Sequence, residues 1–117
     1  VVQDFRECDF GVFEGKNYAE LNGDTAYQRW IDSAGMTPPP NGEGKADFAR
    51  RCCGSFWKVM EGCEEKERIA VVVHGGTVMA LLEAFGVPKR GFYDYQLENG
   101  GVYIAECDRK KRELHRV

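Results

Sequence analysis

The sequence predicts an α/β fold with a mainly parallel central sheet, flanking helices and at least one antiparallel edge strand. The first observation is a β-branched apolar run at residues 69–73, which has the composition of a strand buried on both faces. The second is the recurrence of apolar residues at three- and four-residue spacing over residues 45–63, typical of an amphipathic helix. The third is the Asn99-Gly100 pair between apolar-rich runs, which indicates a hairpin.

For the first half of the chain, the sequence predicts loops and short helices. Residues 1–8 alternate weakly and predict a short strand or an extended segment, and the glycines within residues 6–16 indicate a structured loop. A helical pattern follows, and Asn22-Gly23-Asp24 divides it into two short helices that depend on packing. Three prolines and three glycines in residues 35–44 predict an exposed loop, either a linker or a lid over a pocket.

The second half predicts most of the regular structure. The helix predicted over residues 45–63 is expected to pack its apolar face in the core, with the residues Phe48, Cys52, Phe56, Val59, Met60 and Cys63. Trp57, Arg50 and Arg51 fall on its other faces. After the apolar run, Thr77 is expected to cap a helix that ends near residue 85. Residues 92–97 and 101–106 predict the two hairpin strands, and residues 112–117 a charged final edge strand.

Composition excludes several classes of function. The chain has 117 residues, enough for a single domain with one core, and a net charge of −3 without a basic stripe, so no nucleic-acid partner is expected. The apolar runs are too short to span a membrane and no secretory signal is present, which favours a cytoplasmic protein without a membrane partner. Five scattered cysteines without a C-x-x-C motif predict reduced thiols, with no metal and no cofactor.

His74 is the main candidate for chemistry. It ends the predicted strand, so its imidazole is expected over the carboxyl edge of the sheet, where open α/β folds bind ligands. Gly75 and Gly76 allow the backbone to approach a ligand, and the following helix start aims N–H groups at an anion. A purely structural histidine at a strand end is the alternative, and the glycine pair favours the anion site.

Three segments, in this order, resemble the histidine phosphatase superfamily, in the branch of phosphoglycerate mutases, α-ribazole phosphatases and broad-specificity phosphatases. Residues 6–15, RECDFGVFEG, are similar to the family loop R-E-x-x-F-G-x-W-E-G. Residues 39–43, PPNGE, followed by Phe48 and Arg51, are similar to the proline-glycine-glutamate loop and its helix. Residues 71–77, VVVHGGT, are similar to the strand that carries the second catalytic histidine.

The resemblance implies a three-layer, phosphoglycerate mutase-like fold and a phosphomonoesterase that acts through a phosphohistidine. His74 and the Gly75 N–H are then expected to bind the phosphoryl oxygens, and Glu7 to act as general acid and base. Phe10 and Glu43 are expected at the substrate rim. The substrate is expected to be a small-molecule phosphomonoester, of which α-ribazole phosphate is one candidate.

The sequence departs from the family pattern in one large respect. The family nucleophile sits in an Arg-His-Gly motif on an N-terminal strand, and neither His74 nor His115 has that context. We therefore expect residues 1–117 to be the C-terminal part of a catalytic domain, inactive alone, with residues 69–73 as an open edge. A complementing N-terminal segment or a homodimer is the expected partner.

Three alternatives to the phosphatase are open. A non-catalytic member would bind phospho-ligands without hydrolysis. A phosphoglycerate mutase is disfavoured because Phe10 and Tyr18 replace the family tyrosine and lysine, and Gly76-Thr77 replaces Asn-Ser. A nucleotide-binding domain is weaker still, because neither G-x-x-x-x-G-K-[ST] nor G-x-G-x-x-G is present.

Overall fold

The computed structural model describes residues 1–117 and contains helices and a small mixed sheet, an α/β arrangement. The chain divides into two compact units. One unit comprises residues 8–50, and the other comprises residues 1–7 together with residues 51–117.

The unit of residues 8–50 contains the two short helices that the sequence predicts. Helix α1 spans Tyr18–Leu21, and the Asn17 side chain accepts a hydrogen bond from the Glu20 N–H at its start. Helix α2 spans Thr25–Asp32, and Asp24 caps it in the same way. These side-chain caps satisfy N–H groups that a helix start leaves without an acceptor. An aromatic cluster stabilises the pair, and its members are Phe10, Phe13, Tyr18, Tyr27 and Trp30.

Residues 35–44 form turns that pack against the loop before α1. The Glu43 N–H donates to the Asp9 carbonyl at 2.8 Å, and the Val12 N–H donates to the Pro40 carbonyl at 3.0 Å. A Cβ on Gly11, whose φ is +54°, would overlap the Pro40 carbonyl oxygen. The loop is thus not uniformly exposed, because Pro39 and Gly44 are buried.

Helix α3 spans Lys45–Glu61, close to the predicted range. Its core residues are Phe48, Cys52, Phe56, Trp57 and Met60, each of which is buried. The prediction that Trp57 lies off the core face is wrong. Its ring packs edge to face on Phe85, 5.0 Å between centroids, and the Arg112 guanidinium lies over it.

Helix α4 spans Gly75–Phe85 and leads into strand β1, Gly86–Val87. Strands β2, Ala105–Asp108, and β3, Glu113–Arg116, form the antiparallel hairpin of a sheet ordered β1-β3-β2, in which β1 runs parallel to β3. None of the four helices is long and apolar enough to cross a membrane.

Several predicted strands are absent. Residues 69–73 form no strand, and Val72 is 95% exposed. A strand needs neighbours for its N–H and C=O groups, and no segment of the described chain pairs with this one. Residues 92–97 begin instead with a 3₁₀ helix, Phe92–Tyr95.

Two further positions differ from the prediction. Residues 1–8 contain a 3₁₀ turn, Gln3–Phe5, rather than a strand. Strand β3 is the middle strand of the sheet and not its edge, because β1 pairs with its second side.

Candidate functional site

His74 is the N-cap residue of α4. Its backbone is extended, with φ −70° and ψ 158°, and its carbonyl accepts hydrogen bonds from the Thr77 N–H at 3.1 Å and the Val78 N–H at 3.2 Å. The imidazole is exposed and makes no hydrogen bond to the helix start. The prediction that Thr77 caps the helix is therefore wrong, and the side chain presented at the helix start is that of His74.

The Glu7 carboxylate lies at the same helix start. Its Oε2 accepts a hydrogen bond from the Gly76 N–H at 3.2 Å. A carboxylate at this position satisfies a helix N–H and interacts favourably with the positive end of the helix dipole. A Cβ on Gly76 would overlap Glu7 Oε1, so with any other residue there the carboxylate would have to shift from this position.

Gly75 lies between His74 and the amide that Glu7 occupies. Its N–H makes no hydrogen bond, and a Cβ built on it would meet nothing within 4 Å. The helix start therefore offers one unused backbone donor beside an exposed imidazole. That combination suits an anion.

The sequence assigned no role in this site to Arg51, and it predicted only a helix cap for Thr77. Thr77 Oγ1 donates to the Phe5 carbonyl at 2.9 Å, and Arg51 Nη1 donates to the Arg6 carbonyl at 3.0 Å. Arg51 is half-buried rather than on a free face of α3. Its sequence signal is its place in the proline-loop and helix motif, which does not indicate its acceptors, because they lie about 45 residues away in the chain.

The predicted rim residues, Phe10 and Glu43, lie in the unit of residues 8–50. The Phe10 ring packs edge to face on Trp30, 6.0 Å between centroids. Glu43 Oε1 accepts a hydrogen bond from the Asp9 N–H at 3.1 Å. Glu43 thereby fixes the loop that carries Phe10.

The remaining ionisable groups offer little further chemistry. All five cysteines are free thiols, and burial, followed by the nearby Cys52 and Glu83, raises the pKa of Cys53 to about 11. No group of three or more histidine, cysteine or acidic side chains could hold a metal ion. The second histidine, His115, lies on β3 with its Nε2 3.3 Å from Glu113 Oε1.

Two cavities lie in the unit that contains Glu7 and His74, and neither residue lines them. One, of about 250 Å³, is lined by residues around Pro88 and Tyr103. The other, of about 330 Å³, is lined by residues around Trp57 and Arg112. The chemistry of the candidate site therefore rests on the open start of α4.

Comparison with known proteins gives a match along the whole chain. The sequence profile of the histidine phosphatase superfamily (branch 1) matches residues 1–117. The bifunctional protein Rv2228c of Mycobacterium tuberculosis and the uncharacterized protein Mb2253c of Mycobacterium bovis are each 30% identical to it over 109 residues. These alignments cover 91% of the chain and 29% of each relative, so the chain spans less than a third of their length. No solved structure matches the chain.

Proposed function

The chain belongs to the histidine phosphatase superfamily (branch 1), and from this premise we propose that it forms part of a small-molecule phosphomonoesterase acting through a phosphohistidine. One observation carries the proposal. The Glu7 carboxylate accepts a hydrogen bond from the Gly76 N–H, two residues beyond the exposed imidazole of His74. An acid, an imidazole and a free amide are thereby grouped at one helix start.

In the proposed reaction, a histidine from outside these 117 residues forms a P–N bond while the ester P–O bond breaks. Glu7, in its acid form, gives its proton to the departing oxygen. Glu7 then takes a proton from water as that water forms a new P–O bond and the P–N bond breaks. The products are an alcohol and inorganic phosphate, while His74 and the Gly75 N–H donate to the phosphoryl oxygens.

The environment of Thr77 favours a phosphatase over a mutase. Its hydroxyl occupies the position of the serine that the resemblance gives to mutases, but it is fully buried and donates to the Phe5 carbonyl. A hydroxyl held in this way is not available to a substrate. Gly76 beside it has no polar side chain to offer.

The unpaired residues 69–73 favour completion of the site by another segment. Ile69, Val71 and Val72 are exposed directly before His74. We propose that a strand outside these residues carries the nucleophilic histidine and pairs with residues 69–73. This pairing would complete the mainly parallel central sheet of a three-layer fold. A second copy of the chain at this edge is the alternative partner, which the oligomeric state in solution tests.

Hydrolysis of para-nitrophenyl phosphate tests the function. We expect no turnover by residues 1–117 alone and turnover by the full-length protein. In the full-length protein, His74→Ala should lower kcat/KM by about 10²- to 10³-fold, the usual cost of losing one transition-state donor. His115→Ala is the matched control, because it removes the chain's other histidine from β3.

The outcomes separate the alternatives. Equal losses for the two histidine variants, or robust turnover by residues 1–117 alone, would contradict the assigned roles. Binding of inorganic phosphate by a full-length protein that never hydrolyses phosphomonoesters would instead identify a non-catalytic member of the family.

A further inference from the structure

Glu7 belongs to a segment, residues 4–7, that accepts hydrogen bonds from side chains of helices α3 and α4. Arg51 Nη1 donates to the Asp4 carbonyl at 2.7 Å and to the Arg6 carbonyl at 3.0 Å, and Nη2 donates to the Glu7 carbonyl at 3.4 Å. One guanidinium on α3 therefore spans three carbonyls within four residues. Lysine cannot reproduce this, because an ammonium group lacks the planar fork of donors.

The remaining carbonyl of the segment is held from α4. Thr77 Oγ1 donates to the Phe5 carbonyl at 2.9 Å, and Thr77 is fully buried. All four consecutive carbonyls from Asp4 to Glu7 thus accept a side-chain hydrogen bond. Ser55 adds a further hydrogen bond by donating to the Asp4 carboxylate at 2.8 Å. The carbonyls of a segment outside the sheet normally accept hydrogen bonds from water or within local turns. Here side chains donate to all four carbonyls, so the fold holds this segment in a defined position.

We call the hydrogen bonds from Arg51 and Thr77 to the carbonyls of residues 4–7 the clamp. The clamp restricts the movement of the Glu7 side chain. Its backbone is held by Arg51, and its carboxylate is held by the Gly76 N–H. The carboxylate is therefore fixed at both ends of its side chain. Displacement of a reacting group by about 1 Å costs about 10²-fold in rate, so loss of the clamp should reduce proton transfer by Glu7.

We propose that Arg51 and Thr77 are positioning residues for proton transfer by Glu7. The inference rests on the proposed function, in which Glu7 protonates the leaving oxygen. It predicts a specific signature, because an alkoxide leaving group needs that proton and a nitrophenolate needs it far less. A merely structural defect would slow both substrates alike.

The test is kcat/KM of the full-length protein on glycerol 2-phosphate and on para-nitrophenyl phosphate. Glu7→Gln should lose about 10²- to 10³-fold more on the alkyl ester than on the aryl ester. Arg51→Met should show the same selectivity at about 10- to 100-fold, with Arg51→Lys restoring little of it. Arg50→Met is the matched control, because Arg50 is the neighbouring arginine on α3, is exposed, and pairs with Asp47 at 2.8 Å.

Thr77 provides a second, independent test if Arg51→Met does not fold. Thr77→Val should give about tenfold selectivity against the alkyl ester, and Thr77→Ser, which keeps the hydroxyl, should remove that selectivity. Equal losses on both esters in the Arg51 and Thr77 variants would overturn the positioning role while leaving the proposed function intact. If Glu7→Gln itself showed no selectivity, the proposed acid would be wrong and this inference would fall with it.

Discussion

The residues before and after His74 are both apolar, yet they are packed in opposite ways. Residues 69–72 are exposed and residues 69–73 form no strand, whereas the core of α4, residues 79–82, is buried. A helix satisfies its own backbone groups with hydrogen bonds four residues apart, while a strand depends on a neighbour. The histidine is therefore held by regular structure on one side only, at the start of α4.

Hydrogen exchange should show the largest difference between the two sides. In residues 1–117, the amides of Val71 and Val72 should exchange at nearly the rate of an unstructured peptide. The amides of Leu81 and Leu82 should exchange at least about 10³-fold more slowly, because core helices open only with free energies near the global value. Mass spectrometry or NMR on the same sample measures both sets.

This comparison has two informative departures. Equal protection on the two sides would show that residues 69–73 already pair with something, such as a second copy of the chain. Protection gained only in the full-length protein would support pairing with a strand outside these residues.

Side-chain truncation should reproduce the contrast in stability. Leu82→Ala should lower the free energy of unfolding by about 2–5 kcal/mol, because it leaves a cavity in the core. Val72→Ala should change it by about 0.5 kcal/mol or less, since Val72 is almost fully exposed. Denaturant unfolding of both variants measures this, and a large cost for Val72→Ala would mean that residues 69–73 are packed in solution.

The glycine pair allows the same comparison within one turn of helix. Gly76→Ala should leave the protein about 1 kcal/mol less stable than Gly75→Ala, because its Cβ would push the Glu7 carboxylate away from the hydrogen bond at this helix start. Gly75→Ala, its neighbour, should be neutral or stabilising by about 1 kcal/mol at most, since its Cβ would project into open space. Thermal unfolding of the two variants decides, and similar melting temperatures would contradict the placement of Glu7 at this helix start.

The contrast also explains what the sequence could predict. The sequence predicts helix α3 almost to its ends, and α4 to its C-terminal end, because apolar spacing and local stop signals determine a helix from nearby residues. The predicted strand at residues 69–73 is wrong for this structure because strand formation depends on a distant partner. The predicted strand at residues 92–97 is wrong as well, since the turn at Glu98–Gly101 connects to a strand that begins only at Ala105.

The candidate site shows the same limit. A local motif predicts an anion site at His74 and Gly75, whereas the phosphoryl ligand and the acid-base role of Glu7 come only through family resemblance. Arg51 and Thr77 acquire their importance from carbonyls about 45 and 72 residues away. No local pattern predicts an acceptor at that distance, so the contacts of these two residues with the segment of Glu7 are seen only in the fold.

The smallest expected effect concerns Cys53, whose thiol packs against helix α4. Cys53 Sγ lies 4.0 Å from the Ala80 carbonyl oxygen, and burial, then Cys52 and Glu83, raises its pKa from 9.0 to about 11. The unfolded chain therefore loses the thiol proton near pH 9, while the folded chain keeps it to about pH 11. In that window the unfolded state binds fewer protons, so stability falls as the pH rises.

Denaturant unfolding of the native chain and of Cys53→Ala between pH 8 and pH 11 isolates this effect. At pH 8 both states keep the thiol protonated, so the difference between the two proteins there reports packing alone. As the pH rises from 9 to 11, the free energy of unfolding of Cys53→Ala should increase relative to that of the native chain, because the variant lacks the titrating group. A pH-independent difference would mean that water reaches the thiol beside Ala80, and that this face of α4 is less closely packed than its burial indicates.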